Sequence, residues 1–421
     1  MIKIIKCNNK NYIKKITEIL RIRKDKDFSV TKTVQKIIND IKKKKKKALI
    51  KYEKKFSNNF EIKLSKDKIN KAIKNLDPKV KKAIDFSYNR ILKFHSKQKL
   101  NSIKFRDSLN NKLEYKTFPL QSVGIYVPAN LPSTLLMNAI PAKIAKVKKI
   151  ILANPKLNGK LNAAVLYAAK KLNITEIYSM GGAQAIASLA YIQKVNKIVG
   201  PGNIYVSTAK KEVFGDVGIE GMVAGPSEIT ILADKKTNIE EVITSLVGQA
   251  EHDENAQCIL ISKNLNLIKN VNNKIRQYIK KLPRKAIIEK SLKKNGLLIH
   301  VNNDRKVIEI INEIAPEHLE LNIKNYKKYL NKIFNAGSIC MGKHSPMAIT
   351  DYCSGTNHVL PTHGSAKFSS GLNINEFSKK ISYINLSKKG FEYIGKKAIT
   401  LAEYEQLIGH AESIRSRMRR N

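Results

Sequence analysis

From residue 133 onward the chain alternates helix-like and strand-like stretches at short, regular spacing, and few folds accept that order. The helical pattern STLLMNAIPAKIAKV (133–147) leads into the apolar run KKIILAN (148–154). LNAAVLYAAKKL (161–172) leads into EIYSM (176–180), and GGAQAIASLAY (181–191) follows. VNKIVGPGNIYVSTAKKEVF (195–214) repeats the unit as a strand, a tight Gly-Pro-Gly-Asn turn and a helix. GMVAGPSEITILAD (221–234) is a further turn feeding a buried strand. Alternation at this period predicts parallel strands joined by crossover helices, an α/β fold.

Elsewhere the pattern changes. Residues 30–56 and 66–98 repeat apolar positions at three and four, which predicts amphipathic helices, the second capped by Ser65 or Asp67. Residues 113–130 (LEYKTFPLQSVGIYVPAN) alternate and then turn, as a strand pair ending in a proline-containing loop would. Over 239–252, Ile239, Val242, Ile243, Leu246, Val247 and Ala250 form one stripe, with Asn238 and Glu241 as N-cap and its partner in the first turn. A last helix is expected around 398–420. No internal repeat is present, and 421 residues suffice for more than one domain.

The charge needs an explanation: 79 basic residues against 34 acidic give a net +45. Such a balance usually points to nucleic acid or an anionic membrane. Yet only 11 of the basic residues are arginine, the forked donor suited to phosphates and bases. Lysine, asparagine and isoleucine share A/T-rich codons, so a biased genome accounts for all three. Residues 215–234, 237–262 and 344–366 hold no Lys or Arg, and the Lys42–Lys47 run falls within a helical pattern, on a solvated face. No nucleic-acid partner is expected. No run of about 18 apolar residues suggests a membrane span, the N-terminal residues lack a signal-peptide pattern, and four scattered cysteines fit reduced thiols in a cytoplasm.

The lysine-free stretches carry the candidate chemistry. Gln249 and His252, three apart near a helix end, share a face that can bind a metal, though a polar helix end making hydrogen bonds is the commoner explanation of such a pair. Pro316 at a helix start places Glu317 and His318 in the first turn as two proton-transfer groups of different pKa; alternatively Glu317 only complements the helix dipole. Asp351 lies in a loop beside Tyr352, with His358 seven residues on, and a turn-forming role serves as well. Glu405 and His410 stand five apart near the C-terminus, where a surface pair is ordinary. The turns at 181–185 and 200–203 each follow a strand and open a helix, presenting N–H groups to an anion such as a pyrophosphate, or merely packing tightly.

Taken in order, GGAQAIASLAY, VNKIVGPGNIYVSTAKKEVFGDVGIE, AGPSEITILAD, QAEHD, APEHLEL, AGSICMG, DYCSGTNHVLPT and EQLIGH resemble the histidinol dehydrogenase family across about residues 115–410. The resemblance implies two incomplete Rossmann-like α/β domains with parallel sheets and small helical N- and C-terminal extensions. It implies a homodimer, cytoplasmic and free of membrane, that oxidises L-histidinol through L-histidinal to L-histidine in histidine biosynthesis, reducing two NAD. By motif, the zinc ligands would be Gln249, His252, Asp351 and His410, with His410 and Glu405 donated across the interface. Glu317 and His318 would transfer protons, Ser227, His318 and Glu405 would hold substrate with the ligands, and Tyr126, Gln184 and Asn203 would contact NAD. His358 would organise the loop near the site.

The implied division is 1–121 with 228–372 as a discontinuous domain carrying most of the zinc and substrate site. Residues 122–227 would form the NAD-contacting domain and 373–421 an extension reaching the partner subunit. Three departures stand out. Ala129-Asn130-Leu131 replace a longer glycine-containing loop after Tyr126, Thr350 replaces a usual glycine before Asp351, and Gln406 and Gly409 alter the surroundings of His410. A zinc hydrolase using the same ligands with Glu317 as base, and a basic RNA-binding protein, are the competing readings.

Overall fold

The computed structural model describes residues 2–7, 11–22, 28–220 and 225–419, so residues 221–224 of the expected turn lie outside the described chain. Two compact units emerge: Met1–Gln98 with Gln121–Phe377, and Lys99–Leu120 with Ser378–Asn421.

The first unit contains two parallel sheets. One has six strands in the order Lys3–Lys6, Leu297–His300, Gln257–Ser262, Glu228–Ala233, His318–Asn322 and Ser338–Met341. EITILA and QCILIS are buried at every residue, as near-continuous apolar strands covered by helices on both faces must be. Each buried Ile or Leu there contributes about 1.5–3 kcal/mol. The other sheet has five strands, in the order Glu176–Tyr178, Lys149–Ala153, Ser122–Tyr126, Lys197–Val199 and Gly218–Ile219. The α/β expectation therefore holds, with crossover helices such as Ile239–Ala250, Ala163–Lys171 and Gly182–Tyr191.

Several elements differ from the sequence reading. The stretch 113–130 forms two strands, Lys112–Pro119 and Ser122–Tyr126, that lie in different sheets and do not pair with each other. The helix expected over 66–98 is two, Lys66–Ile73 and Pro78–His95, because a residue preceding proline disfavours helix; Asp77 caps the second and Ser65 the first. Asn238 does cap Ile239–Ala250, through Glu240 N, but Glu241 accepts from Asn322 Nδ2 at 3.0 Å instead of closing a capping box. Lys42–Lys47 are exposed on Phe28–Ser57, as expected, with Lys45 out of helical geometry at φ 47°.

The second unit centres on Lys112–Pro119, paired antiparallel with Ser378–Asn385 and with Ile103–Arg106. Its helical part is also double, Lys388–Tyr404 and Ile408–Met418, since Gln406 turns at φ 61° where one helix was expected.

Candidate active site

Strand direction decides which ends of the sheets carry chemistry. In the six-stranded sheet the chain steps outward from Glu228–Ala233 to Gln257–Ser262 and Leu297–His300, then returns to the other flank as His318–Asn322. Glu228 and His318 open neighbouring strands, with His318 in register with Ile229. The helix Ile239–Ala250, leaving one strand and feeding the next, delivers Gln249 back to that same amino end.

Glu317 and His318 do not begin a helix. The helix Asp304–Ile314 stops at Ala315, which takes the left-handed conformation at φ 47°, and Pro316 cannot continue it. Alternating HLELN then enters the sheet between two strands. The expected helix-start role of Pro316 is therefore corrected to a helix stop that launches a central strand. Gly337 N donates to Pro316 O at 2.9 Å, and a Cβ on Gly337 would stand 2.6 Å from Glu317 O, so only glycine fits there.

The two side chains meet in a dry setting. Glu317 is 6% exposed and His318 3%, with Glu317 Oε1 3.8 Å from His318 Nε2. Glu317 Oε2 accepts from Glu228 N at 2.7 Å, while Glu228 Oε1 accepts from His363 N at 3.0 Å. Burial raises the Glu317 carboxyl well above its ordinary range, and the Glu228 and Asp351 carboxylates add to the rise against the Glu228 N–H. Burial drives His318 the other way, down to about 3, helped by His358 and His252. His318 is thus neutral at pH 7, and its Nδ1 is buried with no hydrogen-bond partner among the described residues.

Asp351 caps the short helix Met347–Thr350, and burial pushes its carboxyl up to about 7. His358 Nδ1 meets Asp351 O at 2.9 Å and Oδ1 at 3.9 Å, which tightens the loop from within. Thr350 is helical, with Oγ1 donating to Met347 O at 2.6 Å, so no glycine-only geometry precedes Asp351. The helix Pro78–His95 holds the loop by its backbone: Ser87 Oγ donates to Tyr352 O, Arg90 Nε to Cys353 O at 3.2 Å and Arg90 Nη2 to Ser354 O at 2.9 Å.

Gln249 is 1% exposed and its Nε2 lacks a partner among the described residues. His252 lies beyond the helix C-cap Glu251, exposed, so the two do not share a regular helical face as expected; a turn from Gln249 O to His252 N spans 3.2 Å. Ser227, half-buried, accepts from Gln257 N through its carbonyl at 3.0 Å. Glu405 and His410 belong to the second unit, exposed on either side of the Gln406 turn. Among the described residues no three His, Cys, Asp or Glu side chains are gathered to hold a metal.

The other three expected residues lie at carboxyl ends of the five-stranded sheet, around the strand Ser122–Tyr126 where its order reverses, the usual seat of ligands in such sheets. Tyr126 ends that strand, buried, with its hydroxyl accepting from Gly182 N at 3.4 Å. Gln184 is buried and donates to Glu53 Oε1 at 3.0 Å, which also accepts from Gly181 N at 2.9 Å. Asn203 is exposed and caps Ile204–Val213 through the N–H groups of Tyr205 and Val206. Behind that turn, buried Lys210 donates to Gly200 O and to Glu220 Oε1, both at 2.6 Å, and Gly200 N donates to the same oxygen at 2.7 Å.

Comparison with known proteins settles the family. A family model described as histidinol dehydrogenase matches residues 20–418. A relative named histidinol dehydrogenase from Pelagibacter ubique (strain HTCC1062) is 58% identical over 427 residues, covering all of both chains. The chain belongs to the histidinol dehydrogenase family. A second family member, from Methanocaldococcus jannaschii, is 43% identical and covers 97% of this chain and 99% of its own. The crystal structure of histidinol dehydrogenase from Elizabethkingia anophelis matches with a TM-score of 0.91 at 36% identity, over 99% and 98% of the two chains. The family is one of oxidoreductases, and the sequence resemblance is borne out.

Two features escaped the sequence reading. Glu228, buried against Glu317, was hidden in an otherwise apolar strand, and a lone acid opening such a strand was the available signal. Arg90 and Ser87 act on backbone carbonyls, so no local pattern announces them.

Proposed function

We propose that the chain is a zinc- and NAD-dependent enzyme that oxidises L-histidinol through L-histidinal to L-histidine, the end of histidine biosynthesis. The observation that carries this reading is the buried pair Glu317–His318 at the opening of a central strand, one group raised and the other lowered by the same burial, beside Asp351. The donor set suits a divalent cation: among the described residues Asp351 has no cationic partner to offset its burial, and Nε2 of the buried Gln249 amide has no hydrogen-bond partner. Gln249, His252 and Asp351 would hold zinc with the partner subunit's His410, and Tyr126, Gln184 and Asn203 in the 122–227 domain would contact NAD. When bound, zinc supplies a Lewis-acidic anchor for the imidazole and amine nitrogens of histidinol, and NAD the hydride acceptor.

The chain's own residues move the protons. Neutral His318 takes the alcohol proton as hydride departs from the carbon, giving the aldehyde. Glu317 then removes a proton from the water that attacks the aldehyde carbon, and the resulting hydrate becomes the acid by giving up a hydride to a second NAD and a hydroxyl proton to His318, which has by then passed its first proton to solvent. A carboxyl raised by burial is a stronger base than an ordinary one once ionised. Ser227 and the partner subunit's Glu405 would help hold the substrate.

The homodimer reading is supported by the second unit's surface. Phe105, Tyr383, Ile384, Tyr393, Leu401 and Tyr404 are all exposed, Ile384 by 71% and Tyr404 by 86%, large apolar side chains of the kind that a subunit interface covers. Tyr404, Leu407 and Ile408 flank Glu405 and His410 on this surface. No helix among the described residues is long and apolar enough to cross a membrane, and a cytoplasmic setting agrees with four free cysteines. The test is NADH absorbance on mixing the protein with NAD and histidinol, before chelation, after it, and after zinc return. Turnover that vanishes with chelator and returns with zinc is expected; cofactor-independent hydrolysis by the same site would sink the reading.

A further inference from the structure

Glu320 lies two residues beyond His318 on the strand His318–Asn322, in register with Cys340 on the neighbouring strand, and is only 4% exposed. Its Oε1 accepts two hydrogen bonds from two other elements: Ser245 Oγ at 3.1 Å and Met347 N at 2.5 Å. Ser245 stands four residues before Gln249 on Ile239–Ala250, hence one turn away on the same face. Met347 opens Met347–Thr350 and stands four residues before Asp351, its C-cap. One carboxyl oxygen therefore fastens two elements, each at a point one turn short of a residue assigned to zinc. Both bonds spring from the strand that carries His318. A carboxyl group inside an apolar sheet has no other purpose visible in its contacts, since it makes no ion pair among the described residues.

We propose that Glu320 is a positioning residue that sets the distance between Gln249 and Asp351, and so governs how firmly the site retains its zinc. The proposal rests on the reading that those two residues bind the metal. Glu320 touches neither metal nor substrate; it acts through Ser245 and the Met347 N–H. Outer groups that orient metal ligands typically change metal affinity by about 10–100-fold when removed.

The experiment follows zinc release from the purified holoenzyme into a chromogenic chelator, for wild type, Glu320→Gln, Glu320→Met and Ser245→Ala. Glu320→Met keeps the side-chain length without an acceptor and should release zinc about 10–100-fold faster, with faster hydrogen exchange at the Met347 amide. Glu320→Gln retains a carbonyl oxygen at the bonding position and should restore release to within about threefold of wild type. Ser245→Ala, which removes one of the two bonds, should fall between. Equal release from a folded Glu320→Met and wild type overturns the proposal, as does equal loss from Glu320→Gln and Glu320→Met. Should Glu320→Met fail to fold, wild-type release from Ser245→Ala overturns it. Wild-type protein that binds no zinc refutes instead the ligand assignment beneath it, a distinct result.

Discussion

Burial acts in opposite directions on the adjoining side chains 317 and 318, because one group is charged when it loses a proton and the other when it gains one. The environment that keeps His318 able to accept a proton also makes Glu317 reluctant to part with its own. This separates their duties, so the two substitutions should fail differently. His318→Asn is expected to cut both oxidations by about 10²–10⁴-fold, the usual worth of a positioned acid or base. Glu317→Gln should leave histidinol oxidation largely intact and stall the aldehyde step, read as NADH formed from histidinal supplied directly. An untouched histidinal reaction in Glu317→Gln would remove that residue from the role. The residue types here were legible, because Gln, Glu, Asp and His stood out in stretches free of lysine. Their local conformation was not. A proline just inside a helix start and one just past a helix end look alike in sequence, and only the alternation of HLELN and the two strands around it decide the matter.

At the scale of elements, the turn Gly200–Asn203 is held from behind by the buried pair Lys210–Glu220, with side chains 6% and 9% exposed. Lys210→Met strands a buried carboxylate, and should cost about 3–5 kcal/mol in urea unfolding. Adding Glu220→Leu should recover most of that loss, since a well-packed apolar pair replaces a buried ion pair at little net cost. Equal destabilisation in the single and double variants would show that the pair has another task. The parallel sheets themselves were readable from strand–helix alternation. The pairing of Lys112–Pro119 with Ser378–Asn385 was not: the partners are remote in sequence, and alternation fixes which face a strand buries without naming its neighbour. The same limit merged two strands over 113–130 into one expected pair.

For the whole molecule, the exposed apolar surface beside Glu405 and His410 makes subunit exchange a direct test. Coexpressing His410→Ala with Asp351→Ala subunits should yield mixed dimers with one intact site if His410 is supplied across a two-fold axis. Random pairing then restores about a quarter of wild-type turnover from two inactive parents. Turnover no higher than that of the parents alone would place His410 in its own subunit's site. The formal charge of +45 takes no visible part in this chemistry: Lys42–Lys47 are exposed on a helix, while the strands that open on Glu228 and His318 carry no lysine.

Glu53 is a buried acid, 1% exposed. Its carboxyl oxygen already answers Gly181 N and Gln184 Nε2 where the helix Gly182–Tyr191 begins, a position at which many nucleotide-binding folds seat a phosphate. The chain has supplied its own guest to that seat. If a dinucleotide rests on this sheet as proposed, the Gly181 N–H is already spoken for at that helix start, and its phosphates would have to find their partners elsewhere, the turn Gly200–Asn203 being the other helix opening on this sheet.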